Sequence, residues 1–240
     1  MKQVGLNVAS DPVMCLAYVG VKGGMVIVSA DDPGPISSQT EQDTRTFALY
    51  SKLPVLDPST PQEAYRMVQD AFEFSEKYAT PVILRPTTRV CHAYQSMEIA
   101  ELPPQRKRGT FEKDSSRWVI FPRLSFENHK KIEERNQNAL PKDFSLYPLN
   151  TIEHIHSTSE QKKGIAAGGI SYAYTKEALT LLMEQYASDA KTLSLLKGIS
   201  LFKVSTPYPF PEPLAKQFLD SCTDILVLEE LDPVIERALI

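Results

Sequence analysis

Cysteine is scarce in this chain of 240 residues: Cys15, Cys91 and Cys222 are the three, far apart and without a CxxC pair. Such spacing argues against a disulfide framework and leaves no ligand set for a zinc or iron–sulfur centre carried by these residues. It fits a reducing compartment, so a cytoplasmic location is expected. A long apolar run is missing, and the opening MKQVGLNVASDP has no apolar stretch after its lysine. Neither a membrane span nor a signal peptide is therefore expected. Positive charge is not in excess, with 26 Lys and Arg against 30 Asp and Glu. The net charge of −4 removes the electrostatic argument for nucleic acid or an anionic membrane as partner. A dinucleotide loop is lacking too: Gly164-Ile-Ala-Ala-Gly-Gly169 has its glycines at 164, 168 and 169, not in G-x-G-x-x-G spacing. Small residues there read as close packing of a strand against a helix.

What is present is a globular composition, 42% hydrophobic and 23% charged, in which strands and helices alternate. Asn7 to Gly20 reads as a helix and Met25–Ser29 as a strand buried on both faces. Thr40 to Ser51 follows as a helix with Phe47, Ala48 and Leu49 turned inward. Pro54–Leu56 is a short strand. Thr60, Pro61 and Glu63 have the pattern of a helix start, and the helix runs to Tyr78 with Met67, Val68, Ala71 and Phe72 among its buried positions. Pro81–Leu84 is the third strand. This alternation at crossover spacing implies a parallel sheet covered by helices.

Residues 93–160 differ. The basic run Arg106–Arg108 reads as solvated surface, Trp118–Pro122 as an extended run, and Phe126 to Asn138 as a charged, exposed helix. Pro141 to Asn150 is aromatic and punctuated by proline. His154 and His156 share one face of a strand, and with no carboxylate or cysteine nearby their role reads as structural. Regular patterning returns at Lys163. It comprises a strand and turn over Gly164–Ile170, a helix from Ser171, strands at Ile199–Ser205 and Asp224–Leu228, a helix at Pro211–Ser221, and another from Asp232. The fold class is α/β, with two parallel-sheet modules (1–92 and 161–240) joined by an irregular connector.

The loop Ser29–Arg45 leaves the first strand with two acids and a Pro-Gly-Pro turn. Loops at the carboxyl ends of strands are where open α/β sheets bind ligands. The plainer alternative is a connection with a helix N-cap at Ser37 or Ser38.

Several blocks, in order, resemble the alpha subunit of indolepyruvate:ferredoxin oxidoreductase, a thiamine-diphosphate enzyme family. They are MKQVGLNVASDP, VSADDPGPISSQTEQDTR, PVILRPTTRVCH, GIAAGGISYAYTKEAL, TPYPFPEPL and LVLEELDPVIE. The resemblance implies that residues 1–92 are the C-terminal half of a pyrimidine-binding domain and 161–240 a transketolase C-terminal-like domain. It also implies an internal fragment, with the activating glutamate upstream of Met1. The magnesium and diphosphate domain and the 4Fe–4S segment would lie beyond Ile240. The implied reaction is oxidative decarboxylation of an aryl pyruvate to an acyl-CoA, with ferredoxin as acceptor and a beta subunit as partner in an oligomer. No catalytic residue, no metal ligand and no tightly bound cofactor are expected on this chain alone.

By the same resemblance, Lys2, Gln3, Val4, Gly5 and Asn7 border the cofactor's aminopyrimidine. Asp31, Asp32, Ser37, Ser38 and Gln39 form the loop over the substrate side. Arg85 and Arg89 are candidates for a substrate carboxylate or a coenzyme A phosphate, with ion pairs to local acids as the alternative. The family pattern more often has histidine where Gln3 and Ile36 stand. A titratable group is thus lost at the first position, and polarity at the second. Those two departures support a second reading, a free-standing non-catalytic scaffold. A third, a relative acting on a pyruvate-like 2-oxoacid, stays open because the residues shaping the pocket are expected partly outside these residues.

Overall fold

The computed structural model describes residues 1–36, 38–101, 109–154 and 163–240, and its strands form two sheets. The N-terminal apolar pattern folds as two helices, α1 (Gln3–Val8) and α2 (Ser10–Val19), where one from Asn7 is predicted. Gly20 ends α2 at φ 71°, a conformation that costs a residue without Cβ little. Strand β1 (Val26–Val28) follows, then α3 (Thr44–Ser51), β2 (Val55–Leu56), α4 (Pro61–Tyr78), β3 (Val82–Leu84) and the single turn α5 (Thr88–Cys91). The sheet order is β1-β3-β2, all parallel, so the fully buried Val-Ile-Leu of β3 is the middle strand. β1 is an edge, with Ile27 buried and Val28 exposed, rather than a strand covered on both faces.

α4 starts where its residue types predict. The Thr60 side chain accepts from the Glu63 N–H at 3.2 Å, and the Glu63 carboxylate reaches back to the Ser59 N–H at 2.9 Å. The first bond satisfies one of the donors that a helix start leaves open, and the second ties the residue before the cap to the first turn. Met67 and Ala71 are buried, whereas Val68 and Phe72 lie on the exposed side, as does Leu49 of α3.

The connector is part of the core. Trp118 ends a short helix, α6 (Ser115–Trp118), and not an extended run. α7 (Pro122–Glu134) passes through a π-helical turn (Arg135–Ala139) into α8 (Leu140–Ser145). α7 packs on α2 with Ile132 buried, so it is not a wholly exposed helix. Leu140, Phe144 and Tyr147 recur at helical spacing and fill a core with Leu56, Met67 and Val82.

The second sheet begins with β4 (Thr151–His154), also from the connector. β5 (Lys163–Gly168), α9 (Gly169–Gln185), α10 (Ala190–Lys197), β6 (Ser200–Val204), α11 (Glu212–Ser221), β7 (Asp224–Leu228) and α12 (Val234–Leu239) complete it. Its order is β4-β6-β5-β7, parallel except that β4 runs against β6. Arg106–Arg108 and His156 lie outside the described residues. Among the described residues no helix is long and apolar enough to cross a membrane.

The two sheets meet through main chain as well as side chains. The Val55 N–H donates to Tyr208 O at 2.7 Å and the Asp57 N–H to Ser205 O at 2.8 Å. Lys203 of β6 pairs with Glu63 of α4.

Candidate functional site

Beyond the strand ends three stretches of chain run side by side. The Ser29 N–H donates to Leu84 O at 2.9 Å, the Thr88 N–H to Asp31 O at 2.8 Å, and the Ala30 N–H to Met1 O at 2.8 Å. The residues that leave β1 and β3, together with Met1 and Lys2, therefore form a continuous floor at the carboxyl edge of the sheet. This is the ligand address of open α/β folds.

Beneath that floor lies a buried ionic cluster. The Arg85 Nε donates to Asp31 Oδ2 at 2.6 Å and Nη1 to Asp57 Oδ2 at 3.0 Å, while Nη2 stands 3.7 Å from Asp43 Oδ1. Asp31 also accepts from the Thr44 N–H at 2.8 Å and from the Thr44 hydroxyl. Arg45 forks onto Asp43, with Nη2 at 2.6 Å from Oδ2 and Nε at 3.0 Å from Oδ1. From there it reaches the second module: Nη1 donates to Glu229 Oε2 at 2.7 Å and Nη2 to Asp232 O at 2.9 Å. Glu229 in turn accepts from the N–H groups of Val234, Ile235 and Glu236 at 3.0–3.1 Å, so one carboxylate caps α12 and anchors α3.

Electrostatics sorts these acids. Burial raises the Asp43 carboxyl, but the Arg45 hydrogen bonds and the charges of Arg85 and Arg45 outweigh it and hold the group below its ordinary range. For Asp57 burial wins, and its pKa is pushed up to about 6 against the pull of Arg85 and Arg45. One of its oxygens, Oδ1, has no hydrogen-bond partner, and neither has Nη2 of Arg85. Burial works against the Arg85 cation, yet Asp57, Asp31 and Asp43 raise its pKa above the usual value.

Nearer the surface the loop is pinned by lighter contacts. Lys2 Nζ donates to Ser38 Oγ at 2.8 Å and lies 3.5 Å from Asp32 Oδ2, which belongs to a buried residue. The Thr88 hydroxyl donates to Asp32 Oδ1 at 2.8 Å. Arg89 Nη1 pairs with Glu230 Oε1 at 2.6 Å, Gln39 is exposed, and Ile36 is exposed beside them. Gln3 is buried, its Nε2 donating to Thr40 O at 3.0 Å while Oε1 has no partner. That oxygen is an orphaned acceptor suited to an N–H of a bound group. Val4 and Asn7 are exposed on α1, Asn7 donating to Gln42 Oε1 at 2.5 Å, and Gly5 sits under Met1.

Three expectations change. Arg85 follows its ion-pair alternative and not the ligand role: it does not face an incoming carboxylate or phosphate, because Asp31, Asp43 and Asp57 of the same chain surround it. Asp31 is turned towards Arg85 and Thr44 rather than towards solvent. The helix cap is Asp43, not Ser38, and Ser37 lies outside the described residues. Sequence reasoning passed over Asp43, Arg45, Asp57 and Glu229. Asp57 carried a usable signal, since it follows β2 as Asp31 follows β1 and Arg85 follows β3.

Residues 24–141 match the family model described as "Pyruvate flavodoxin/ferredoxin oxidoreductase, thiamine diP-bdg". The chain is 42% identical over 242 residues to indolepyruvate oxidoreductase subunit IorA of Pyrococcus abyssi, a match that covers 99% of this chain and 35% of the relative. The protein of the same name from Methanothermobacter thermautotrophicus is 39% identical over 238 residues, with 99% and 36% covered. The chain thus spans 35–36% of the length of these curated relatives. Among solved structures, a 2-oxoglutarate:ferredoxin oxidoreductase from Magnetococcus marinus, with 2-oxoglutarate, coenzyme A and succinyl-CoA bound, superposes with a TM-score of 0.64. At 15% identity, over 99% of this chain and 47% of that one, the likeness is one of fold.

Proposed function

Because the chain belongs to the 2-oxoacid:ferredoxin oxidoreductase family, with the indolepyruvate oxidoreductase A subunits, we propose that it forms one wall of a thiamine-diphosphate site. The reaction we assign to the whole enzyme is oxidative decarboxylation of indolepyruvate and similar aryl pyruvates to acyl-CoA, with ferredoxin taking the electrons. Thiamine diphosphate, when bound, supplies the electron sink that lets a 2-oxoacid lose carbon dioxide.

Gln3 carries this reading. It is a buried amide with its NH₂ anchored to Thr40 and its oxygen unpartnered, next to Lys2, which bridges to Ala30 beyond the end of β1. Its oxygen accepts an N–H of the aminopyrimidine, and the anchored NH₂ fixes its orientation. Val4, Gly5 and Asn7 continue that wall. Lys2, Ser38, Gln39 and Arg89 rim the substrate side, where Arg89 exchanges Glu230 for a ligand carboxylate. Asp31, Asp32 and Arg85 act one layer below as positioning residues that hold the loop. The group that activates the cofactor, the magnesium site, the 4Fe–4S clusters and the docking face for ferredoxin belong to the rest of the subunit and its beta partner. The enzyme is an oligomer of the cytoplasm, and this chain alone does not turn over.

The test is reconstitution. A full-length subunit assembled with its partner should reduce a viologen dye with indolepyruvate and coenzyme A, and the 240-residue chain should not. In that assembly Gln3→Ala should raise the KM for thiamine diphosphate about tenfold, the loss of roughly one buried hydrogen bond. An unchanged KM removes Gln3 from the cofactor wall, and dye reduction with pyruvate in place of indolepyruvate overturns the substrate assignment.

A further inference from the structure

Where α2 and α4 end, ahead of β1 and β3 and so away from the strand ends, these helices enclose with α6 and α7 a cavity of about 550 Å³. Four cations line it, Lys77, Arg117, Lys131 and Arg135, and among the described lining residues there is no Asp or Glu. Lys77 is already paired with Asp143, and the other acids nearby are paired with cations outside the lining, Glu112 with Lys22 and Glu133 with Lys52. Arg117 donates from Nη2 to Val21 O at 3.2 Å, and its buried Nε has no partner. Arg135 donates to two neutral oxygens, Asn136 Oδ1 and Lys52 O, each at 2.8 Å. Burial pushes its pKa down to about 10, and Tyr208 and Glu133 compensate in part. Lys131 is exposed at the mouth.

We infer that this cavity binds a small phosphate-bearing anion, gripped by Arg117, Lys131 and Arg135. The volume falls within the range of small-molecule sites. Guanidinium groups match phosphate oxygens with paired N–H donors, and a lysine adds a mobile point charge. The plainer role, in which the two arginines satisfy main-chain carbonyls, occupies one nitrogen of Arg117 and leaves Lys131 without a task. An anion gives a direct partner to three cations, Arg117, Lys131 and Arg135, none of which forms an ion pair among the described residues.

Trp118 reports on the site, being the single tryptophan of the chain with the Arg117 guanidinium 4.8 Å above its ring. Titrating the 240-residue chain with sodium pyrophosphate at about 50 mM KCl should change Trp118 emission saturably, and raising KCl to about 200 mM should weaken binding several-fold. Lys131→Glu, at an exposed position that leaves folding intact, should weaken it about tenfold or more, and Arg117→Gln similarly. Equilibrium dialysis with labelled pyrophosphate covers a silent emission change. Tighter binding of ADP than of pyrophosphate identifies a nucleotide as occupant, and equal binding identifies phosphate alone. Absence of saturable binding in both assays, or an affinity that both variants leave unchanged, overturns the proposal.

Discussion

The two sheets are joined by opposite means at their carboxyl ends. Where β1, β2 and β3 stop, the chain places charge: Asp31, Asp57 and Arg85, with Asp43 and Arg45 beside them. Where β5 stops, it removes side chains. A Cβ on Gly168 would lie 2.7 Å from the Ile235 side chain, and one on Gly169 would lie 3.0 Å from Asp57 Oδ1. Asp57 is the joint between the two, held by Arg85 on one side and seated against bare backbone on the other. A charged joint tolerates few arrangements, because any shift leaves a buried carboxylate unpaired. A glycine joint admits close approach and selects little by itself. Together they fix how the first module meets the second.

The comparison can be broken most directly at Arg85. Arg85→Met leaves three buried carboxylates without their shared cation and should cost about 3–5 kcal/mol in a urea melt. An unchanged midpoint would show that charge is not what holds this side. Next comes pH. The folded chain keeps a proton on Asp57 up to about 6, whereas the unfolded chain releases it near 3.8. Stability from this group is therefore full below the lower value and is lost as pH rises through the higher one, by roughly 3 kcal/mol in all. Asp43, held low, acts in the opposite sense at more acid pH. Asp57→Asn should flatten the dependence between those values, and a slope that survives the substitution assigns it to another group.

On the glycine side, Gly169→Ala combines φ 51° with a Cβ against the Asp57 carboxylate, and should cost about 1–3 kcal/mol by thermal or urea unfolding. A cost near zero would mean that the joint has slack. The smallest effect sharpens the contrast. Arg89→Gln removes a half-exposed pair with Glu230 and should change stability by less than about 1 kcal/mol, although it makes the same kind of contact as Arg85.

Much of the fold was legible because local chemistry decided it. Thr60, Pro61 and Glu63 mark the start of α4, and the apolar runs at 82–84, 200–204 and 224–228 stand where strands form. What escaped depends on partners distant in sequence. Asp31 accepts from the N–H of Thr44, where α3 begins, a contact spanning 13 positions that no window reveals. Arg85 draws its partners from 28 and 54 residues away. Phe144 and Leu140 sit in a segment whose prolines and charges resemble a linker, and their burial follows from the face that α4 presents. α10 was missed because no residue of it is buried, so its apolar positions carry no core signal. At the strand ends, residue types drew attention to the loop from Ser29, whereas Gln3 was singled out only through the family resemblance. Residue types could not show that Arg85 faces inward.

The connector's dual membership has a practical side for anyone dissecting this chain. A cut after residue 92 would strip Leu140, Phe144 and Tyr147 from beneath β2 and α4, and a cut before residue 163 would remove the edge strand β4 from the second sheet. No single boundary yields two self-sufficient expression units. Nicking in the stretch between them should leave the halves associated, as a split protein whose pieces recognise each other through a shared core.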